Sequence, residues 1–259
     1  MLGKLIKHEW KAVAKILGFL HLALIGMAVL GKILVSIDFI EELDFIRGGL
    51  LIVYIISVMA IGIGTHIFLA MRFYKNMYTD EGYLSFTLPV KPWQHLISKL
   101  LVAAAWIVID VIAIVISVFI LVMYQGMWQE MADSLGTITE NSQEITWKPL
   151  VIGVETLLEA FFGMIMTILM YYFSISVGQL FKTHKLLASV VIFVVTFNVL
   201  RIISVIVTGI AMYASINGMD NVNNFYLSFV GMGLVQTLAF CVIFWCSCQY
   251  IMTKRLNLE

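Results

Sequence analysis

Residues 100–124 read LLVAAAWIVIDVIAIVISVFILVMY, 25 positions with a single charge, Asp110. The apolar residues do not alternate, as they would along a membrane β-barrel strand, and no polar face interrupts them. A run of this length closes its backbone hydrogen bonds as a helix and matches the ~20 residues that cross a hydrocarbon core about 30 Å thick. The pattern recurs on both sides. Residues 16–37 carry only Lys32, residues 49–71 carry no charge, and residues 150–181 carry Glu155 and Glu159 near their start. Residues 186–214 carry Arg201, and residues 226–252 carry none. The prolines, Pro89, Pro92 and Pro149, fall between spans or at a first turn, where a missing N–H costs least. The expected fold is an all-α polytopic membrane protein, a single transmembrane domain of six spans over residues 1–259.

Composition gives the same answer. Of the 259 residues, 61% are hydrophobic and 12% charged, against about 45–50% and ~25% in soluble domains. Such a chain cannot cover its own surface with polar groups, so the excess must face lipid. Six spans with short loops use up the length and leave no room for a soluble catalytic domain. Lysines precede residues 16–37 as in a signal peptide. The apolar stretch is longer than a signal core, however, and no small-x-small cleavage site follows, so the span is expected to be retained.

Net charge is zero, 16 basic against 16 acidic residues, but alternate loops divide it steeply. Lys4, Lys7, Lys11, Lys15, Arg72, Lys75, Lys91, Lys99, Lys182, Lys185, Lys254 and Arg255 share one side with four acids, Glu9, Asp80, Glu81 and Glu259. Lys32, Arg47 and Lys148 share the other with Asp38, Glu41, Glu42, Asp44, Glu130, Asp133, Glu140, Glu144 and Asp220. By the positive-inside rule the first side, with both termini, is expected to be cytoplasmic. Trp93, Tyr74 and Tyr250 then mark the inner boundary, and Tyr124, Trp128, Trp147 and Tyr226 the outer one.

Two inner segments carry the most information. Residues 1–15 form an amphipathic pattern, with Lys4, Lys7, Lys11 and Lys15 in one stripe and Leu2, Leu5, Ile6, Trp10 and Val13 opposite. This predicts an interfacial helix whose lysines meet anionic lipid, while Glu9 breaks the apolar arc and needs a partner. A plain membrane anchor and a specific docking element both fit it. Residues 72–99 are too apolar for a solvated linker: Phe73, Tyr74, Tyr78, Tyr83, Leu84, Phe86, Leu88 and Trp93 lie there. Thr79 or Asp80 can cap a short helix, with Asp80 and Glu81 at its positive end, and Pro89 terminates it. Its aromatics suit either a grip for another protein or the lipid interface.

The run Tyr78-Thr-Asp-Glu-Gly-Tyr-Leu-Ser-Phe-Thr-Leu-Pro-Val90, followed by Gln94-His-Leu-Ile-Ser-Lys99, resembles permeases of ABC transporters of the type-2 exporter class, in particular the small six-span permeases of Gram-positive bacteria. Lys4-Leu-Ile-Lys-His-Glu-Trp-Lys11 is similar to their N-termini. The resemblance covers residues 1–100; beyond them it rests on span count and topology. It implies an elbow helix at Leu2–Lys15, including Lys4, Lys7, Glu9, Trp10 and Lys11. It also implies a coupling helix near Thr79–Phe86, where Thr79, Asp80, Glu81, Gly82, Tyr83, Leu84 and Phe86 dock into a separate cytosolic ATPase subunit. ATP and magnesium would sit on that partner, leaving this chain without catalysis or cofactor. A second permease, identical or similar, would complete a path along spans one, two and five in the bacterial cell membrane. The short segment Ser215–Phe225 departs from relatives that carry a large or re-entrant stretch before the last helix.

No phosphate-binding loop is found here: Gly178 with Lys182-Thr183 lacks the second glycine. The buried charges Asp110, Glu155, Glu159 and Arg201 are costly in lipid and should pair or face the bundle. Depth, at about 1.5 Å per residue, matches Arg201 to Glu155 or Glu159 rather than to Asp110, so an Arg201–glutamate pair between spans four and five is expected. Ala60-xxx-Gly64 and Ser174-xxx-Gly178 offer faces for close helix approach. Glu41-Glu42-Leu-Asp-Phe-Ile-Arg47 is close to an intramembrane protease motif, but its arginine is one residue late and it lies in an outer loop. Cys241, Cys246 and Cys248 have no metal or redox spacing, the five histidines form no ligand pair, and no nucleic-acid face exists. A secondary transporter or channel is the remaining alternative, although no internal repeat or broken-helix pair supports it.

Overall fold

The computed structural model describes residues 2–36, 44–87, 89–122, 129–130, 133, 147–218 and 222–255. Among them lie seven α-helices and no strand: α1 (Leu2–Val35), α2 (Asp44–Tyr78), α3 (Asp80–Thr87), α4 (Pro92–Val122), α5 (Trp147–Gly178), α6 (Lys185–Gly218) and α7 (Val222–Lys254). All except α3 are long and apolar enough to cross a membrane. The chain is an all-helical, multi-pass membrane protein. Asp38, Glu41, Glu42, Tyr124, Trp128, Glu140, Glu144 and Asp220 fall outside the described residues.

Each long helix matches an expected span and outruns it at one end or both. A 34-residue helix such as α1 is about 51 Å long, well beyond a 30 Å core. Hydropathy marks the apolar middle of a helix, whereas the backbone continues until a stop signal. Residues 2–15 correct the expectation in this way. They form no separate element but are the opening turns of α1, which runs unbroken to Val35, because no proline or cap interrupts Lys11–Phe19. The lysine stripe is exposed, as its polarity requires.

The described helices fall into two compact units, residues 1–69 with 101–144 and residues 70–100 with 145–259, so the division cuts α2 and α4. In the first unit α1 buries Val13, Leu17, His21, Leu24 and Ala28, a seam with spacings of three and four. It runs parallel to α4: Trp10 meets Trp106 at 5.1 Å between ring centroids, His21 meets Asp110, and Lys32 reaches Leu121. The ladder also explains Lys32, whose ammonium donates to the Leu121 carbonyl at 3.3 Å, one of the orphan acceptors at the end of α4. Tyr54 and Ser117 share a 2.7 Å hydrogen bond between α2 and α4.

In the second unit α5 packs most extensively on α7, and α6 lies against both. Leu169, Met170, Leu200 and Phe244 form its buried core, with Phe173, Phe193, Phe240 and Trp245 around them. Gly178, at the close of the small-residue face Ser174-xxx-Gly178, is a true close approach. A Cβ there would run into the hydroxyl of Ser189 and lie 2.8 Å from its backbone. Gly64 of the other small-residue face has open space above it.

Candidate functional site

The segment 72–99, expected as a long loop with one short helix, is almost entirely helical. The second helix runs on past Arg72 to Tyr78, α3 follows after Thr79, and α4 begins at Pro92. Proline suits that first helical position, and Gln94 closes the start of α4 by accepting from the Lys91 N–H at 3.2 Å, the N3 half of a capping box. Thr79 does not cap α3 with its side chain. Its hydroxyl donates back to the Lys75 carbonyl at 2.6 Å, and the Gly82 N–H bonds the Thr79 carbonyl at 2.7 Å. Asp80 and Glu81 occupy the first turn, where the helix dipole favours acids.

An eight-residue helix is too short to hold its shape alone, and three contacts hold this one. Gly82 is buried where α3 folds back on α2, and a Cβ there would lie 2.7 Å from the carbonyl carbon and oxygen of Met77. Only glycine fits. Asn76, its amide oriented to suit both neighbours, donates to Glu81 at 2.8 Å and accepts from Lys99 Nζ at 2.9 Å, tying the end of α2, α3 and the start of α4 together. Below α3, Phe73 stacks on Tyr172 at 3.8 Å between centroids, and the two planes differ by 13°. Tyr78 donates to Ser176 Oγ at 2.7 Å, and Ser176 lies 4.0 Å from the thiol of Cys248 on α7. The platform that carries α3 is thus fastened to α5 and neighbours α7 within one unit. Tyr83 is left 65% exposed, and Asp80 and Glu81 are exposed beside it. The side chains of Leu84 and Phe86 lie outside the described residues.

Of the residues at the start of α1, Lys4, Lys7, Lys11 and Trp10 are exposed and Glu9 is half-buried. The intramembrane charges behave differently from expectation. Asp110 is buried and contacts His21 Nε2 at 3.0 Å, a partner the sequence reading missed. His21 Nδ1 faces the Leu17 carbonyl at 2.5 Å. With an acceptor at each ring nitrogen, both contacts are made by an imidazolium beside a carboxylate, or by a neutral ring beside a protonated carboxyl. Either way the pair is neutral overall, which is what burial demands. His21, neutral by default and lying in an apolar run, gives no charge signal in the sequence that would mark it as the partner of Asp110.

The expected Arg201–glutamate pair does not form. Asp110 pairs with His21 instead, and Arg201 lies exposed on α6. Depth matched, but rotation did not: Arg201 is about 100° round the helix from the buried Leu200. Glu155 and Glu159 face α7 instead. A Cβ at Gly231 would come 3.9 Å from Glu155, and one at Gly233 would come 3.7 Å from Glu159. Thr237 donates to Glu159 Oε1 at 2.8 Å.

No family model, curated protein or solved structure matches this chain.

The short helix α3 thus presents an exposed aromatic and two acids on a fixed mount. Among the described residues no cluster of His, Cys, Asp and Glu could hold a metal.

Proposed function

We propose that this chain is the permease subunit of an ATP-driven ABC exporter in the bacterial cell membrane. Separate cytosolic ATPase subunits, holding ATP and magnesium, would drive it through α3, and a second permease would complete the path. The observation that supports this reading is the mounting of α3. A coupling element must keep its shape under load and deliver displacement to membrane helices. Gly82 on Met77 and the Asn76–Glu81–Lys99 bridge supply the first property. The Phe73–Tyr172 stack and the Tyr78–Ser176 bond supply the second, because they hand motion of α3 to α5. The charge bias of the loops supports a cytoplasmic position for α3, within reach of a soluble ATPase.

The test uses tagged full-length protein purified from its own membranes in mild detergent. A P-loop ATPase should co-purify in stoichiometric amount and confer vanadate-sensitive ATP hydrolysis. Tyr83→Asp should reduce that recovery at least about tenfold, the loss of roughly 1.4 kcal/mol, with membrane insertion unchanged. Absence of a P-loop partner from the wild type, or full recovery with Tyr83→Asp, would overturn the reading.

A further inference from the structure

The bundle of the second unit is not filled throughout. Where α5, α6 and α7 meet, a cavity of about 270 Å³ opens among Glu159, Ser204, Thr208, Gln236, Thr237 and the ring of Phe229. The volume sits just below the ~300 Å³ at which small-molecule pockets begin, so it suits a head group and not a drug-sized ligand. Glu159 is the thirteenth residue of α5, about 18 Å along a helix that spans a core some 30 Å thick. A carboxyl group so deep in the membrane is costly unless it has a partner.

The hydrogen bonds in the cavity are unbalanced. Thr237 spends its one hydroxyl proton on Glu159 Oε1 at 2.8 Å, and Gln236 donates an amide N–H to Ser204 at 2.6 Å. Glu159 Oε2 is buried and has no partner among the described residues. The cavity therefore holds spare acceptors: the second carboxyl oxygen and the lone pairs of the Thr237 and Thr208 hydroxyls. The hydroxyl protons of Ser204 and Thr208 and the second amide N–H of Gln236 also line the cavity, but none of them reaches Glu159 Oε2, which is left wanting a donor. Cations that bring several donors to a carboxyl make the strongest such bonds, and Val207, Ala211, Val230 and Met232 supply an apolar wall for a chain. Glycine at position 233 leaves room beside Glu159: a Cβ there would sit 3.7 Å from its carboxyl group.

We infer that this cavity binds a primary ammonium group carried on an apolar chain, with Glu159 and Thr237 accepting its N–H bonds. The inference does not rest on the exporter reading; it needs only the three-helix bundle. Two sources carry the same chemistry, a free amphiphilic amine and the head group of phosphatidylethanolamine, and the test separates them.

Full-length protein in phosphatidylcholine vesicles is treated with dicyclohexylcarbodiimide, which enters bilayers and modifies carboxyl groups, and labelling at Glu159 is measured by peptide mass spectrometry. Dodecylamine at about ten times its dissociation constant should cut total modification of Glu159, counting the N-acylurea together with the dodecylamide that the amine itself can form on the activated carboxyl, roughly tenfold by mass action. Dodecanol and dodecyltrimethylammonium match the chain but lack an ammonium N–H, and should leave labelling within about twofold on the same scale. Gly233→Leu, which fills the space and keeps every polar group, should abolish protection while the protein still inserts. In phosphatidylethanolamine vesicles, slow labelling without added amine identifies the lipid as occupant. Fast labelling that dodecylamine still suppresses identifies a free amine. Native mass spectrometry gives an independent readout: one dodecylamine on the wild type, and at least about tenfold less on Glu159→Gln. Equal dodecylamine binding by wild type and Glu159→Gln, or equal protection by dodecanol, overturns the proposal.

Discussion

Single side chains decide whether this apolar chain tolerates its polar residues. Asp110 and His21, 3% and 5% exposed, are acceptable because each neutralises the other at 3.0 Å. Removing one partner strands the other, so Asp110→Ala should cost about 3–5 kcal/mol. Replacing both, as His21→Leu with Asp110→Leu, should cost far less, because packed apolar side chains replace a buried pair at little penalty. A double-mutant cycle of thermal unfolding in detergent gives the coupling, and additive single losses would show that the contact does not act as a pair. Gly82 is the steric counterpart. With Met77 backbone 2.7 Å from any Cβ, Gly82→Ala should destabilise by about 1–3 kcal/mol, an overpacking cost. Gly153→Ala meets nothing within 4 Å and should be stabilising by up to ~1 kcal/mol, from helix propensity alone. If both alanines behaved alike in the same melting assay, the tight approach at Gly82 would be disproved. His184 holds the left-handed conformation, with φ of 54°, at the turn into α6. A β-branched residue is poorly tolerated there.

At the scale of elements, the spans are readable because apolar length alone requires them, and the short helix α3 is readable because Asp80 and Glu81 mark its start and Pro89 its end. What could not be read was rotation about helix axes. Arg201 and Glu159 lie at matching depths, yet one is exposed on α6 and the other faces Thr237. Depth follows from counting residues, whereas azimuth follows from which neighbours a helix packs on. The same limit hid Phe73 and Tyr78: both read as loop aromatics, and both turned out to bolt the platform to α5. Because Arg201 has no ion-pair partner among the described residues, Arg201→Leu should leave the melting temperature unchanged or raise it, since a leucine costs nothing facing lipid. A loss of several kcal/mol would indicate a buried pair after all. Tyr78→Phe should cost about 1 kcal/mol through the lost bond to Ser176. Alongside that stability loss it should weaken the proposed link between α3 and α5, seen as reduced transport per ATP hydrolysed.

For the whole molecule, the strongest physical constraint is the field the chain must obey on insertion. Within the first unit α1 runs parallel to α4 through the Trp10–Trp106 and His21–Asp110 contacts, as two helices separated by one intervening span should. Likewise α5 runs parallel to α7, since Glu159 meets Thr237 and Phe173 meets Phe244. Alternation fixes which ends lie together but leaves the absolute orientation to the lysine and arginine bias. That bias is large, with twelve basic residues assigned to one side and three to the other. Lysine and arginine in short loops resist translocation, so the side rich in them stays in the cytoplasm. The prediction is direct. In a background without Cys241, Cys246 and Cys248, a cysteine at Lys7, Lys91 or Lys182 should react with a membrane-impermeant maleimide only after the cells are opened. A cysteine at Glu140 should react in intact cells. Reversal of this pattern would put α3 on the outer surface, where no ATP-driven partner could reach Tyr83, and the exporter reading would fail with it. Dual labelling at every site would mean that the bias is too weak to set one orientation, and the two-sided charge separation would then lose its role in directing the fold.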